Sequence, residues 1–227
     1  MQIPTYNEKR MTLKVLIACE ESQTTCKAFR ALGHEAYSCD IQDCSGGHPE
    51  WHFKQDVLPL LREPWDLIIA HPPCTFMSKA GARWMYPIAG HISTDRYQLS
   101  QDAKAFFMEF WDCPCPHLAI ENPVPLQIVG LPKPTQAIQP YEYGDPYSKK
   151  TLLWLRGLPE LRPTKVLKHY TPWMPSNTSG FAHGQGGSRG IAHDQRMASK
   201  TFEGIAAAFA DQWSKYLTNP YKLTLFD

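Results

Sequence analysis

The chain has 227 residues, 43% of them apolar and 20% charged, with a formal net charge of +1. That length fits one large domain, and the composition allows a sizeable core and excludes wholesale disorder. No run approaches the roughly 20 apolar residues that cross a membrane, no secretory signal is visible, and seven irregularly spaced cysteines point to reduced thiols in a cytosol.

In chain order, residues 1–12 are polar and patternless, which predicts a loose tail. The charge-poor run over 14–19 predicts a buried parallel strand. A helix is predicted over 23–32, where Cys26, Phe29 and Leu32 fall at helical spacing and Gly33 supplies the stop. Strands follow over 35–39, ending at Asp40, and over 52–56 after a loop rich in Gly, Pro and His. Residues 65–70 form the clearest buried strand. A helix is predicted over 94–111, a fifth strand over 117–121 and another over 150–155. Prolines become dense after Pro123, and 157–196 is mostly loop chemistry. A last amphipathic helix over 201–217 sets Ile205, Phe209 and Trp213 on one face. Repeated strand–helix–strand order means an α/β fold, with a mostly parallel sheet and helices on both faces. The expected organisation is a tail (1–12), a core (13–156), a loop-rich basic segment (157–197) and a C-terminal helix packing back on the core (198–227).

Charge is unevenly spread. Between Asp145 and Lys200 nine lysines and arginines face three acids, a local net of +6. Such a surface suits a phosphate-bearing partner, and it equally suits an ordinary solvated face.

Ligands of open parallel sheets bind beyond the carboxyl ends of the strands. The residues there are Cys19-Glu20-Glu21-Ser22, Asp40-Ile41, Asp56-Val57, His71-Pro72-Pro73-Cys74 and Glu121-Asn122-Pro123. Asp40 stands where nucleotide-binding α/β proteins place an acid on ribose hydroxyls, and Asp56 can accept from an adenine amine. Acids at strand ends also cap helices and turns, so both readings stand. Pro72 and Pro73 fix the backbone after a buried strand and hold Cys74 in a defined direction, as a nucleophile needs. Cys39, Cys44, His48 and His52 are ligand-type residues, but they lack the longer stretch that zinc sites put between ligand pairs, and no metal is expected.

The segment Asp66-Leu-Ile-Ile-Ala-His-Pro-Pro-Cys74 resembles the nucleophile motif of the cytosine-5 DNA methyltransferases, in particular a short phage and prophage branch. Ile120-Glu121-Asn122-Pro123 is similar to that family's Glu-Asn-Val motif, and the stretch from Tyr143 to Lys150 to a third, basic motif. The likeness covers about 14–155, and more weakly 196–213. It implies a Rossmann-like methyltransferase fold using S-adenosylmethionine, with Cys74 attacking carbon 6 of cytosine and Glu121 binding and protonating the opposite ring nitrogen. A carboxyl that donates a proton is expected to be raised in pKa by burial. The resemblance places Cys19, Glu20, Glu21, Asp40, Ile41, Asp56, Val57, His71 and Pro72 on the cofactor. It places Pro73, Arg96, Asn122, Pro123, Lys149 and Lys150 on the substrate; for Arg96 a solvated helix start is the equal alternative.

The chain departs from the family in three places. The first loop, Ala18 to Gln23, contains no glycine where the family is glycine-rich. The family's Gln and second Arg of the basic motif fall on Tyr147 and Thr151. The large target-recognition domain is missing, leaving 157–196 to read sequence. The expected partner is cytosine-containing DNA, with its base flipped out if the DNA is duplex, and no obligate protein partner. Alternatives are a free nucleotide, single-stranded DNA or RNA as acceptor, or a non-catalytic nucleic-acid-binding relative. Amine methylation is disfavoured, because those enzymes end the analogous Pro-Pro loop in an aromatic residue.

Overall fold

The computed structural model describes residues 11–173 and 199–219. The expected tail up to residue 10, and 174–197 of the basic segment, lie outside them. In order come β1 (Lys14–Ala18), α1 (Thr24–Ala31), β2 (Glu35–Asp40), β3 (His52–Lys54), β4 (Leu67–Ala70), α2 (Ala82–Met85), α3 (Thr94–Trp111) and β5 (Leu118–Pro123). Then follow β6 (Gln136–Ile138), β7 (Tyr147–Ser148), β8 (Thr151–Arg156), β9 (Thr171–Pro172), α4 (Glu203–Ala208) and α5 (Ser214–Leu217).

Seven strands form one sheet in the order β3-β2-β1-β4-β5-β8-β6, and β7 pairs with β9 apart from it. The run β3 to β5 is parallel, whereas β8 lies antiparallel to both β5 and β6. This is the expected Rossmann-like α/β class, with one reversed strand that no periodicity announces. The crossovers leave β1 toward β2 on one side and toward β4 on the other, so the chain changes direction between β1 and β4. A crevice opens at such a switch point.

Burial explains the strand assignments. Along β1, Val15 and Ile17 enter one core cluster with Phe29, Ile205, Phe209 and Trp213, and Leu16 and Ala18 enter the other with Phe107, Phe110 and Trp154. A strand covered on both faces reads as continuous apolar sequence, which is why 14–18 and 67–70 carry no alternation. The expected strand over 52–56 is shorter, because Asp56 turns out to accept from the Leu58 amide at 3.0 Å and starts a 3-10 turn.

Helix ends are fixed by side chains. Ser93 caps α3 by accepting from the Arg96 amide, and the Arg156 guanidinium donates to the carbonyls of Trp111, Cys113 and Cys115 beyond its far end. The last helix, expected as one piece over 201–217, is broken by a π-helical turn at Phe209–Trp213. The expected face survives, with Ile205, Phe209 and Trp213 all buried and the Phe209 and Trp213 rings stacked at 4.6 Å.

Glu20 holds α1. It is 4% exposed, and its two oxygens accept from the amides of Thr25 at 2.7 Å and Cys26 at 3.2 Å. Burial pushes its carboxyl up, against the pull of His71 and those two amides. Glu20→Ala would strand two buried amides. At 1–3 kcal/mol per unsatisfied donor, a loss of about 3 kcal/mol and a fall in melting temperature of roughly 6–12 °C are expected, read by calorimetry.

Candidate active site

The loops at the carboxyl ends of β1, β2, β3, β4 and β5 form one rim. Register sets which side chains meet across it. Ala70 pairs with Ile120 between the parallel strands β4 and β5, so the next residues, His71 and Glu121, are neighbours. The His71 ring donates from Nδ1 to Glu121 Oε2 at 3.0 Å, and the two side chains are only 9% and 13% exposed. One step further, the buried Asn122 donates its amide to the Pro72 carbonyl at 2.8 Å. That bond fixes the backbone two residues before Cys74.

Cys74 closes a tight turn, its carbonyl accepting from the amides of Met77 and Ser78. The turn is stitched to the segment after β5 by Lys79 donating to Val124 and Leu126 donating to Met77. Arg96 reaches back from α3 to the Thr75 carbonyl and lies 4.4 Å over the Phe76 ring. The thiol is therefore half-buried on a rigid loop held from three sides.

Electrostatics join Cys74 to Glu121. Burial, and after it the Glu121 carboxylate, pushes the Cys74 thiol up, while Lys149 and the cysteine's own amide pull it down. Burial works to raise Glu121 as well. There the His71 hydrogen bond, the charges of Lys149 and His71 and the Thr151 hydroxyl outweigh it and hold the carboxyl below its usual range. The expectation of a raised Glu121 is thereby corrected: its neighbours win over its burial. Lys149 is the cation common to both groups. Lys149→Gln is expected to slow alkylation of Cys74 by iodoacetamide roughly three- to tenfold near pH 8, with peptide mapping to follow that one thiol.

The expected cofactor residues divide into two groups. Cys19 sits near Asp40 and Asp56, whose charges raise its thiol after burial has done most of the work. Asp40 accepts from the Gln42 amide at 2.9 Å with one oxygen, and Ile41 beside it is 75% exposed. An exposed isoleucine next to a strand-end carboxylate is a fitting seat for a purine ring and a ribose diol. His71 Nε2 is buried with no protein partner. Glu20 accepts from the first turn of α1, Val57 and Pro72 are buried, and Glu21 accepts from the Ser45 hydroxyl.

The glycine-free loop keeps a glycine-like backbone. Cys19 and Gln23 have φ of 58° and 57°, a region that costs an ordinary residue roughly 1–2 kcal/mol. Gln23 is held there by bonds to the Ser38 hydroxyl and to both backbone groups of His48. Gly46 lies so close that a Cβ on it would collide with Gln23.

Among the substrate-side residues, Pro73 and Lys150 are exposed, and Pro123 is half-buried opposite Thr151. The basic motif has a second use. Asp145 accepts from the Gly204 amide at 3.0 Å and anchors the start of α4. Two contributors escaped the sequence reading: Thr151, whose neighbourhood to Glu121 follows from the β5–β8 register, and His71 as the partner of Glu121. Among the described residues no group of three His, Cys, Asp or Glu side chains is placed to hold a metal, and no helix is long and apolar enough to cross a membrane. His48 instead stacks on Trp51, and His52 bonds Ser38.

No family model and no curated protein matches the sequence. Among solved structures the chain is similar to a prophage-encoded E. coli protein assigned as a DNA modification methyltransferase, at 16% identity and a TM-score of 0.40, over 63% of this chain and 46% of that one. It is also similar to the Dnmt2 methyltransferase of S. pombe, at 13% identity and a TM-score of 0.40, over 65% of this chain and 50% of that one. The chain thus spans about half the length of each.

Proposed function

We propose that the protein transfers a methyl group to carbon 5 of cytosine in DNA through a covalent bond to Cys74. The observation that carries this reading is the convergence of Cys74, Glu121, His71 and Lys149 at the ends of adjacent strands, with the Cys74 loop tied to β5 by Asn122. Asp40, Ile41 and Asp56, together with the unpartnered His71 Nε2, are the residues that would hold S-adenosylmethionine at the switch point. When bound, that cofactor supplies the methyl group as an electrophile.

The chain's own part is nucleophile and proton management. The Cys74 sulfur, deprotonated with help from Lys149, adds to carbon 6 of the ring, and the carbon 5–carbon 6 electron pair shifts toward carbon 5 and the ring nitrogen. A proton placed between Glu121 and that nitrogen neutralises the charge that builds there. After carbon 5 has been methylated its proton passes to water, that bond's electron pair reforms the double bond, the carbon–sulfur bond breaks with its pair on Cys74, and the ring nitrogen returns its proton to Glu121. An ionised Glu121 can only accept, so it is His71 Nδ1 that carries hydrogen in the resting pair. Glu121 therefore takes up from water, as the base binds, the proton it shares with the ring nitrogen, while His71 Nδ1–H holds the carboxyl in place.

The domain boundaries belong to the same proposal: 13–156 as catalytic core, 157–197 as the DNA-contacting segment and 198–227 as its return to the core. The test is trapping on DNA containing 5-fluorocytosine in the presence of S-adenosylmethionine. Fluorine at carbon 5 blocks the last elimination, so a covalent complex that maps to Cys74 is expected. A covalent complex at another residue, or none on any DNA that accepts methyl, would overturn the adduct.

A further inference from the structure

The segment that follows Cys74 has a composition its position does not require. From Leu67 to Thr94 there is no Asp or Glu, while Lys79, Arg83 and His91 fall within it. The same segment exposes large apolar side chains: Trp84 is 58% exposed, Tyr86 41%, Ile88 65% and Ile92 49%. Such side chains cost free energy in water, and their concentration in one flap marks a surface that something covers.

The flap is folded rather than loose. Met85 is fully buried beneath it and its carbonyl accepts from the Ser93 amide, while Ile88 and His91 pair across the turn between them. Its base is tied to the segment after β5 by the Lys79–Val124 bond, and just past its far end Arg96 donates to the Thr75 carbonyl in the Cys74 loop. Arg83 lies 4.7 Å over the Trp84 ring. An exposed indole with a guanidinium beside it, on an acid-free segment that continues from the nucleophile's loop, offers a flat π face and positive charge together. Unpaired bases on a phosphate backbone supply the complement to both, whereas bases inside a duplex have their faces covered.

We infer that the flap carrying Arg83, Trp84 and Tyr86 is a stacking platform for unpaired bases, and that the acceptor is single-stranded or locally unpaired nucleic acid. This rests on the reading of the Cys74 site as a cytosine-modifying centre. It gives that site a substrate class, namely a strand whose bases are already open, which avoids the work of extruding a paired base.

The test is fluorescence anisotropy of the full chain with a labelled 16-nucleotide single strand and with its duplex, across a salt series. Binding to the single strand at least tenfold tighter is expected. Trp84→Ala should weaken it roughly 5- to 150-fold, the range of one lost base stack, and Trp84→Phe should restore most of it. Arg83→Gln should lower the salt slope by about 0.7, one phosphate contact on a single strand. Melting temperatures of these surface variants should match the parent. Equal or tighter duplex binding, or no effect of Trp84→Ala, would overturn the inference. So would concentration-dependent dimerisation that Trp84→Ala abolishes, because a second copy would then be the occupant. Cys74→Ala separates the two layers. Single-strand preference in that variant, beside a parent that never transfers methyl, faults the chemistry alone; transfer to duplex without single-strand preference faults the platform alone.

Discussion

Cys74→Ala is expected to reduce methyl transfer to DNA by roughly four to six orders of magnitude, the scale on which loss of a covalent nucleophile acts. The measurement is incorporation of labelled methyl from S-adenosylmethionine under single-turnover conditions. The structure makes this a clean substitution. The backbone around residue 74 is fixed by its carbonyl bonds to Met77 and Ser78 and by the Asn122–Pro72 bond, none of which uses the sulfur. A melting temperature close to the parent should therefore accompany the loss. Cys26, Cys39, Cys113 and Cys115 are buried and cannot take over. Cys19 is pushed up by burial and by Asp40, and burial is the main cause that raises Cys26 to about 12 and Cys39 and Cys115 to about 11. Cys74 is itself raised, so it too is a poor nucleophile until a partner assists. Rates should accordingly climb with pH through its titration, and Lys149→Gln should move that climb to higher pH. Retention of substantial transfer in Cys74→Ala would sink the covalent route.

Much of the frame could be read from the sequence, for a physical reason. Strands covered on both faces must be apolar at every position, so β1 and β4 announce themselves, and α1 and α3 carry their own stop and cap in Gly33 and Ser93. What could not be read depends on pairing. β6 is three residues long and carries no periodicity, and its place beside β8 is set by contacts with Leu152 and Leu153 far along the chain. The direction of β8 is likewise fixed by its partners. At the site, Cys74 and Glu121 each stood out by residue type and strand-end position. Their relation to His71 did not, because it follows from the register Ala70 to Ile120, which lies in space and not in order along the chain. Glu20, a strand-end acid expected on the cofactor, has partners that no spacing announces, because the first turn of α1 presents two amides to its oxygens.

The same register makes Glu121→Gln the second severe lesion, with an expected loss of roughly 10²- to 10⁴-fold in the rate of methyl transfer, the usual contribution of a positioned acid or base. Glutamine keeps the length and an oxygen that accepts from His71 Nδ1, so the fold should persist, but it can no longer carry a proton to the ring nitrogen. Stability offers an independent check of the resting charge. The Glu121 carboxyl is held below its usual value in the folded chain, by His71 first and then by Lys149 and Thr151, against the opposing effect of burial. Its ionised form therefore contributes stability that is fully present above the unfolded carboxyl pKa and lost as pH falls through the lower folded value. Parent and Glu121→Gln should differ most in melting temperature near neutral pH and converge in acid. His71→Phe should lose the bond that lowers Glu121 and shift that convergence to higher pH. His71→Asn, whose shorter amide can still donate, should shift it less. If His71→Phe left the convergence unmoved, the pair would be a packing contact and nothing more, and His71 would have no part in holding Glu121 ionised.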